Sequence, residues 1–581
     1  MIFRNATRLA GIVLLTVAFA VRAAAAPDAG DPSNVAFRKV ADAVLADLYA
    51  RNPTYATDLG LHQFDNKLED YSAAAVTDEL AAITRFEGDL QRIDPSSLTE
   101  VNRQDREMLQ HSLMSRRLRD ENVRSWARNP DIYSSGLTNS AYSLIKRDFA
   151  PAETRLRSLV AREQLMPAAL AEARKNLVDV PRIYAEIAIE QLDGNQEFFR
   201  SAVTEAFAGA GDAALRAEFK RANDAVIAAL GDYKTWLQKN LLPRAKGNYA
   251  FGADLYRRKL WADEMINTPL ADLERLAVTD LRRNQAAFAA TAKLIDPNKT
   301  PIQVLESLQA DHPPPDQLLA KTQAELDALG RFMTERHIVT IPKDATPAQV
   351  QETPPFMRAT TSASMDTPGP FEKAKLQGFY SMTLPDPSWT AAQKEDFMRQ
   401  WFYPLISNVS VHEVWPGHYL QFLYAPSYPS DVRKVLGSNS NSEGWAHYCE
   451  QMVIDEGFHA DDPRYRLAQL QDALLRDARF VVGIRLHTQG MTLQQAEDFF
   501  VNEGYQPRPV AVSETKRGTS DALYGYYTMG KLAILKLRAD YQRKLGPQFQ
   551  LEDFHDRFIA LGPLPLPLVR EAMLGERGYL F

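Results

Sequence analysis

The sequence predicts a mainly α-helical protein, and three observations support this prediction. Apolar residues recur at intervals of three and four, so that Phe37, Val40, Val44 and Leu48 would share one face of a helix. Apolar residues make up 45% and charged residues 24% of the 581 residues, which is typical of a globular protein with a large core. Similar helical patterns run through residues 75–120, 150–190, 198–240, 270–295 and 316–336. We therefore expect one large helical domain with charged, solvated helix faces.

Two short runs favour a small sheet within this helical framework. Residues 357–364 and 378–384 are compatible with β-strands and are bounded by Pro and Gly. They follow residues 346–355, which we interpret as a loop because three prolines exclude a helix there. The sheet would lie beside the candidate site described below.

Helix start and stop signals divide the last third of the chain. A capping box at Thr390 opens a helix that continues into the candidate site, with a kink expected at Pro404. A polar turn at 438–442 caps another helix. The last long helix is predicted over 521–545, and Gly546 ends it.

The N-terminal residues 1–26 have the pattern of a secretory signal peptide. Arg4 and Arg8 precede an apolar core at 9–21, and small residues fill positions 23–26, where we expect cleavage. A membrane anchor is the alternative, but the apolar core is shorter than the ~20 residues that span a bilayer. We therefore expect a periplasmic or secreted protein that is not held in the membrane after cleavage.

Cysteine content and charge exclude several classes of protein. Cys449 is the single cysteine, so no internal disulfide forms and no leading cysteine offers a lipid attachment site. The net charge of −7 and the absence of a Gly-rich phosphate loop argue against a nucleic-acid or nucleotide partner.

The residues that indicate chemistry are two histidines and two glutamates. His412 and His418 flank Glu413, and Glu443 follows 25 residues after the second histidine. Two imidazoles and one carboxylate are a common ligand set for catalytic Zn²⁺. His412, His418 and Glu443 are therefore the predicted metal ligands, and Glu413 is left free to act as a general base on water.

The six-residue gap between the two histidines requires a break in the helix. On an unbroken helix the two side chains would lie about 240° apart, because each residue turns the chain by about 100°. Pro416 removes a backbone donor, and Gly417 permits unusual dihedral angles. We therefore predict that the helix breaks here and that His418 returns to the side of His412.

Two runs of residues match a known family motif: His412, Glu413, Pro416, Gly417, His418 and Gln421, followed by Ser442, Glu443, Gly444, Trp445 and Ala446. In these residues the chain resembles the bacterial family called domain of unknown function 885, and the resemblance covers about residues 34–581. That family is similar to helical zinc peptidases such as angiotensin-converting enzyme and thimet oligopeptidase. The resemblance implies a helical ellipsoid in two halves, 34–340 and 341–581, around a deep cleft with zinc at its floor, and implies the same ligands and base.

A tyrosine-rich segment extends this resemblance. Residues 521–527 are similar to the Asp-Ala-x-Tyr-x-x-Tyr run of thimet oligopeptidase, in which tyrosines donate hydrogen bonds to the developing oxyanion. The resemblance implies this role for Tyr524 and Tyr527. The alternative is that both only pack in the core. The histidine that precedes these tyrosines in the thimet-type enzymes is replaced here by Lys516 and Arg517.

Four further residues have two possible roles each. His447 could be a fourth ligand, but we favour a position behind the ligands or in the core. Glu450 could accept a hydrogen bond from a ligand imidazole or could be solvated. Arg508 and Arg517 could bind the terminal carboxylate of a peptide, as in a carboxypeptidase, or could be ordinary surface arginines.

Together these patterns predict an exported, gluzincin-like zinc hydrolase that cleaves short peptides. Both exo- and endo-cleavage fit the sequence, and so do several oligomeric states. One alternative is a metal-dependent hydrolase of a non-peptide amide or ester. A second is a periplasmic binding protein without catalytic activity, although such a protein has no need of Glu413 between two ligands.

Overall fold

A computed structural model describes residues 31–353, 358, 361–374 and 377–581, and these residues are mainly α-helical. The predicted signal peptide, residues 1–26, lies outside the described residues. The helices before the sheet are α1 (Pro32–Arg51), α2 (Pro53–Asp58), α3 (Ala73–Gln91), α4 (Glu100–Leu118), α5 (Ser125–Arg128), α6 (Asp131–Ile145), α7 (Ala152–Glu163), α8 (Met166–Asn176), α9 (Arg182–Arg200), α10 (Ala202–Ala206), α11 (Ala213–Trp236), α12 (Gly252–Glu264), α13 (Leu270–Ile295), α14 (Pro301–Leu308) and α15 (Leu318–Glu335). The helices after it are α16 (Ala391–Met398), α17 (Tyr403–Glu413), α18 (His418–Tyr424), α19 (Asp431–Val435), α20 (Asn439–Asp455), α21 (Pro463–Thr488), α22 (Leu493–Asn502), α23 (Arg508–Ser520), α24 (Tyr526–Leu545), α25 (Leu551–Ala560) and α26 (Leu566–Leu574).

The described residues form one sheet of three short strands, β1 (Gln349–Glu352), β2 (Ala363–Asp366) and β3 (Phe379–Met382). The order is β1-β3-β2, with β3 parallel to β1 and antiparallel to β2. Strands β2 and β3 lie in or beside the two predicted β-compatible runs. Strand β1 occupies the segment predicted as a loop, because the prolines there exclude a helix but leave four residues free to pair with β3.

Apolar side chains form separate cores in different parts of the chain. One core is made only of residues 133–245, from α6 to the segment after α11. The largest combines α1, α3 and α4 with the sheet and the helices around the predicted metal motif. A third joins α12 and α13 to α21–α24. The candidate site is therefore built on the large core and on the third core, which includes Tyr527.

Two helix pairs, α13 with α21 and α20 with α24, make the most extensive contacts among the described helices. In the second pair two glycines let the backbones touch. A Cβ added at Gly530 would lie 1.9 Å from the carbonyl oxygen of Ser440, and one added at Gly444 would lie 2.4 Å from the Cα of Gly530. This close packing fixes Glu443 of α20 beside Tyr527 of α24.

Several helix boundaries differ from the predicted ones. The helix predicted from Thr390 ends at Met398, and α17 begins after an extended residue, with Pro404 in its first turn. Proline is favoured in that first turn, so it starts a helix here and does not kink one. The last long helix ends before Gly546 as predicted, but begins at Tyr526. No helix among the described residues is long and apolar enough to cross a membrane. The two-halved ellipsoid with a deep cleft stays a prediction.

Candidate metal centre

The chain breaks between the two histidines, as the Pro-Gly pair predicts. Helix α17 ends at Glu413, and α18 begins at His418. Only glycine fits at position 417, because a Cβ there would lie 1.8 Å from the carbonyl oxygen of His412. The indole nitrogen of Trp445 donates a 2.8 Å hydrogen bond to the carbonyl oxygen of Pro416. The break is therefore held against α20, the helix that carries Glu443.

The three predicted ligands converge on one point. The Nε2 atoms of His412 and His418 lie 3.4 and 3.3 Å from the same atom, Oε2 of Glu443. Their side chains are 8%, 15% and 25% exposed in the order His412, His418 and Glu443, so the cluster is reached from solvent. Among the described residues, these are the histidine, cysteine and acidic side chains grouped closely enough to hold a metal ion.

The cluster fits a tetrahedral cation. Oε2 of Glu443 is buried and has no hydrogen-bond partner among the described residues, an arrangement that is costly unless something binds it. Bonds of about 2.0–2.1 Å at tetrahedral angles separate two ligand atoms by about 3.3–3.4 Å, which matches the observed Nε2 to Oε2 distances. Two imidazoles and one carboxylate also leave a fourth position for water or substrate.

A carboxylate behind the cluster orients His412. Oε1 of Glu450 lies 2.7 Å from Nδ1 of His412, which leaves Nε2 of that imidazole facing Glu443. Glu450 is 1% exposed and is also paired with Arg476 at 3.0 Å. The pKa of Glu450 is raised by burial but lowered more by Arg476 and His447, so it stays well below its usual value. An ionised carboxylate on the far side of a ligand imidazole fixes its tautomer and increases its basicity.

The charges within the cluster depend on one another. Burial lowers the pKa of His412, but its contacts with Glu443 and Glu450 outweigh this effect and raise it to about 9. Burial raises the pKa of Glu443, whereas His418 and His412 hold it well below its usual value. Because a cation requires neutral imidazoles, its binding to this cluster would release a proton from His412.

His447 lies behind the cluster and supports Glu450. Its Nδ1 is 3.2 Å from Oε2 of Glu450, and the ring is fully buried. Burial, followed by the charge of Lys531, lowers the pKa of His447 to about 3, so the imidazole is neutral at physiological pH. This placement agrees with the favoured interpretation of His447 and not with a fourth ligand.

Glu413, the predicted base, is the last residue of α17 and is half-buried. It follows the ligand His412 directly and stands next to Tyr380 of β3. Burial and then the charge of Glu413 raise the pKa of the Tyr380 phenol above its usual value. The small sheet therefore lies beside the site, as predicted, and the uncharged phenol of Tyr380 lies near Glu413.

The two predicted tyrosines occupy different surroundings. The ring of Tyr527 stacks on His412 with a centroid distance of 6.3 Å, and the charge of Glu443 contributes to the raised pKa of its phenol, after burial. Tyr524 is fully buried, and its phenol faces Gly518, where a Cβ would lie 2.4 Å from the oxygen. Among the described residues Tyr524 makes no hydrogen bond or ring contact with the three ligands, so its predicted role has no contact to support it.

Three polar residues that complete the site were not predicted. Arg476 pairs with Glu450, and Asn408 donates a 2.7 Å hydrogen bond to Asp472. Asp472 and Arg476 lie one turn apart on α21, and Asn408 lies one turn before His412 on α17. Charged residues on a helix ordinarily indicate a solvated face, so no local signal distinguishes these buried ones.

The family model for a bacterial protein of unknown function (DUF885) matches residues 53–573, and the chain belongs to this family. A solved structure of a "putative lipoprotein of unknown function" from Shewanella oneidensis is 27% identical with a TM-score of 0.78, over 93% of this chain and 99% of that one. A "putative lipoprotein" from Colwellia psychrerythraea, 18% identical with a TM-score of 0.78 over 93% and 98% of the two chains, has a similar fold. None of the curated proteins matches this chain.

Proposed function

We propose that this protein is an exported, zinc-dependent hydrolase that cleaves peptide bonds in short peptides. The observation that carries the proposal is the convergence of Nε2 of His412 and Nε2 of His418 on the buried Oε2 of Glu443, at 3.4 and 3.3 Å. Glu413 follows His412 in the sequence and is half-buried at the end of α17, near Tyr380. A site that only stored a metal or captured a ligand would have no use for this additional carboxylate.

The residues around the cluster have separate tasks in this proposal. A Zn²⁺ ion held by the two histidines and Glu443 would polarise the scissile carbonyl and acidify a water molecule. Glu413 removes the proton from the attacking water and passes it to the leaving amine. The phenol of Tyr527 donates a hydrogen bond to the carbonyl oxygen as negative charge builds there. Glu450 and Arg476 keep the His412 imidazole in position.

Export is the second part of the proposal. Residues 1–26 have the charge and apolar pattern of a signal peptide, and the two similar solved structures are named as lipoproteins. Lipid attachment is not included, because the single cysteine, Cys449, is buried in α20.

Metal analysis and a peptide digest test the proposal together. We expect purified protein to bind about one zinc per chain and to cleave members of a short-peptide library, as read by mass spectrometry. Glu413→Gln should retain zinc and lose turnover by about 10²–10⁴-fold, because it removes only the proton transfer.

The matched control is Glu456→Gln, a change of the same chemistry at the residue that follows α20, where the side chain is 30% exposed and pairs with Arg538. It should leave zinc content and turnover unchanged. Unaltered turnover in Glu413→Gln, or zinc-free protein that cleaves nothing, would refute the hydrolase. Cleavage of amide or ester model compounds but of no peptide would instead assign the non-peptide alternative.

A further inference from the structure

We infer that Arg517 binds the terminal carboxylate of the peptide substrate, so that cleavage occurs near the C-terminus of the peptide. The inference rests on the proposed peptidase function and names its substrate class, peptides with a free C-terminal carboxylate. It is carried by an arginine that is separated from the metal cluster by one aromatic ring and remains accessible to solvent.

Three guanidinium groups surround the ring of Tyr527. The guanidinium carbons of Arg476, Arg479 and Arg517 lie 5.5, 5.0 and 5.8 Å from the ring centroid. The His412 ring also stacks on it at a centroid distance of 6.3 Å, and Nη2 of Arg476 lies 3.3 Å from Nδ1 of His412. A concentration of positive charge therefore lies immediately beside the cluster.

Two of these three cations are already occupied. Arg476 is 10% exposed and is paired with Glu450 and Asp472. Arg479 is 10% exposed and forms a bidentate pair with Glu514 at 2.7 and 2.8 Å. Buried charges that are paired in this way fix the structure and are shielded from an incoming ligand.

Arg517 differs from them in exposure. Its side chain is 36% exposed. Its Nε and Nη2 contact Asp521, and Nη2 also approaches the phenol oxygens of Tyr526 and Tyr527 at 3.2 and 3.4 Å. Among the described residues no hydrogen-bond partner is found for Nη1. The Nε and Nη2 edge of the guanidinium is thus held in place, while Nη1 is open to an incoming carboxylate.

The position of Arg517 fits a short segment after the scissile bond. The His412 ring lies 6.3 Å and the Arg517 guanidinium carbon 5.8 Å from the centroid of the Tyr527 ring, so at most about 12 Å separates them. One extended residue spans about 3.3–3.6 Å, so a segment of up to about three residues reaches from a reacting carbonyl at the cluster to a carboxylate at Arg517. Arg508, the other arginine considered from the sequence, is 48% exposed and pairs with Asp498 at 2.8 Å. It contacts none of the residues around the cluster and provides a matched control.

The test compares two peptides that differ only at the C-terminus. One ends in a free carboxylate and the other in an amide, and kcat/KM is measured for both with the full protein loaded with zinc. We expect wild type to prefer the free acid by about 10- to 100-fold, the range expected for a hydrogen bond to a charged group. Arg517→Gln should lower kcat/KM far more for the acid than for the amide, so that the preference for the acid is lost. Arg517→Lys should retain part of the preference, and Arg508→Gln all of it.

The outcomes separate this inference from the proposed function. If wild type cleaves both peptides equally, or if Arg517→Gln lowers both rates by the same factor, Arg517 does not bind the carboxylate and the peptidase still stands. If neither peptide is cleaved, the peptidase assignment itself fails and the inference fails with it. Unchanged zinc content and unfolding midpoint in each variant exclude loss of structure as the cause.

Discussion

Glu450 links the predicted metal ligands to the buried charges behind them. It accepts from His412, pairs with Arg476 and contacts His447, while remaining 1% exposed. Such a carboxylate has no contact with the cation itself. Its effect on a cation is exerted through the orientation and basicity of the His412 imidazole.

Replacing Glu450 by Gln should weaken zinc binding by about 10- to 100-fold, because the amide keeps the shape but removes the charge that supports His412. Competition with a chromophoric chelator measures the change, and Glu456→Gln, just after the same helix, serves as the comparison. Equal zinc affinity in wild type and Glu450→Gln would contradict this role.

Another buried histidine, His555, makes the stability of the fold sensitive to acid. His555 is fully buried, with Nδ1 2.7 Å from the carbonyl oxygen of Ile338 and Nε2 2.8 Å from the phenol oxygen of Tyr448. Burial lowers its pKa to about 3. In the unfolded chain His555 is protonated below about pH 6.5, whereas in the folded protein it stays neutral down to about pH 3. Between these pH values the free energy of unfolding therefore decreases as the pH is lowered.

For His555 alone the loss is about 1.4 kcal/mol per pH unit below 6.5. Urea unfolding of wild type and His555→Gln at pH 7 and pH 5 measures it. The variant is less stable at pH 7, but its stability should decrease less between the two pH values. Parallel decreases in both proteins would show that His555 does not contribute.

The site shows which residues a sequence can predict. His412, His418 and Glu443 were predicted because their types and spacing match a known ligand set, and the structure brings them together. The positions of Arg476 and Asn408 depend on how α21 packs against α17, a contact between segments more than 60 residues apart. No local pattern records that packing, so their burial was not predicted.

At the scale of helices and strands, the contact between α20 and α24 determines where Glu443 lies relative to Tyr527. The backbones approach so closely that any side chain at Gly530 would meet the Ser440 carbonyl. A Cβ there cannot be accommodated by a rotamer change, because the atom it meets belongs to the backbone. Helices α20 and α24 would have to move apart, and Glu443 and Tyr527 would move with them.

We therefore expect Gly530→Ala to lower the free energy of unfolding by about 3 kcal/mol or more and to reduce zinc affinity. Gly194→Ala in α9 is the matched control, because its Cβ would have nothing within 4 Å. That change should stabilise the protein by about 0.5–1 kcal/mol through helix propensity. The urea unfolding midpoints show whether each variant is less or more stable than wild type. A Gly530→Ala protein more stable than wild type would disprove the close contact.

Helices were more predictable than strands for a physical reason. Phe37, Val40 and Val44 are close together in the sequence, so the apolar face that they form can be recognised from this segment alone. All three lie within α1, as predicted. Strand β1 exists because Val350 pairs with Tyr380, 30 residues later. A four-residue strand has no period long enough to be recognised alone, so its partner had to be known first.

At the scale of the molecule, the cluster lies beside one apolar core and outside another. Residues 133–245 form their own apolar core, which contains no predicted ligand. The three predicted ligands lie on α17, α18 and α20, whose apolar residues belong to the largest core. A cation that joins these three helices should stabilise the region around them more than the separate core.

Chelation should therefore accelerate amide hydrogen exchange in α17, α18 and α20 by up to about 100-fold, the effect of free zinc at 100 times Kd. Exchange in α9 and α11 should remain unchanged. His418→Gln protein should exchange rapidly in α18 with or without chelator. A uniform change in all five helices would instead indicate that the cation stabilises the whole molecule.

The burial of Cys449 has a practical consequence for studying this protein. Its side chain is fully buried, close to the Pro416 carbonyl, and burial raises the pKa of the thiol well above its usual value. Maleimide and spin-label reagents react with exposed thiolates, which are the nucleophiles, so they should leave the native chain unmodified. Pairs of cysteines introduced on the surface would then carry probes without background, and distances between them could report any movement when a peptide binds.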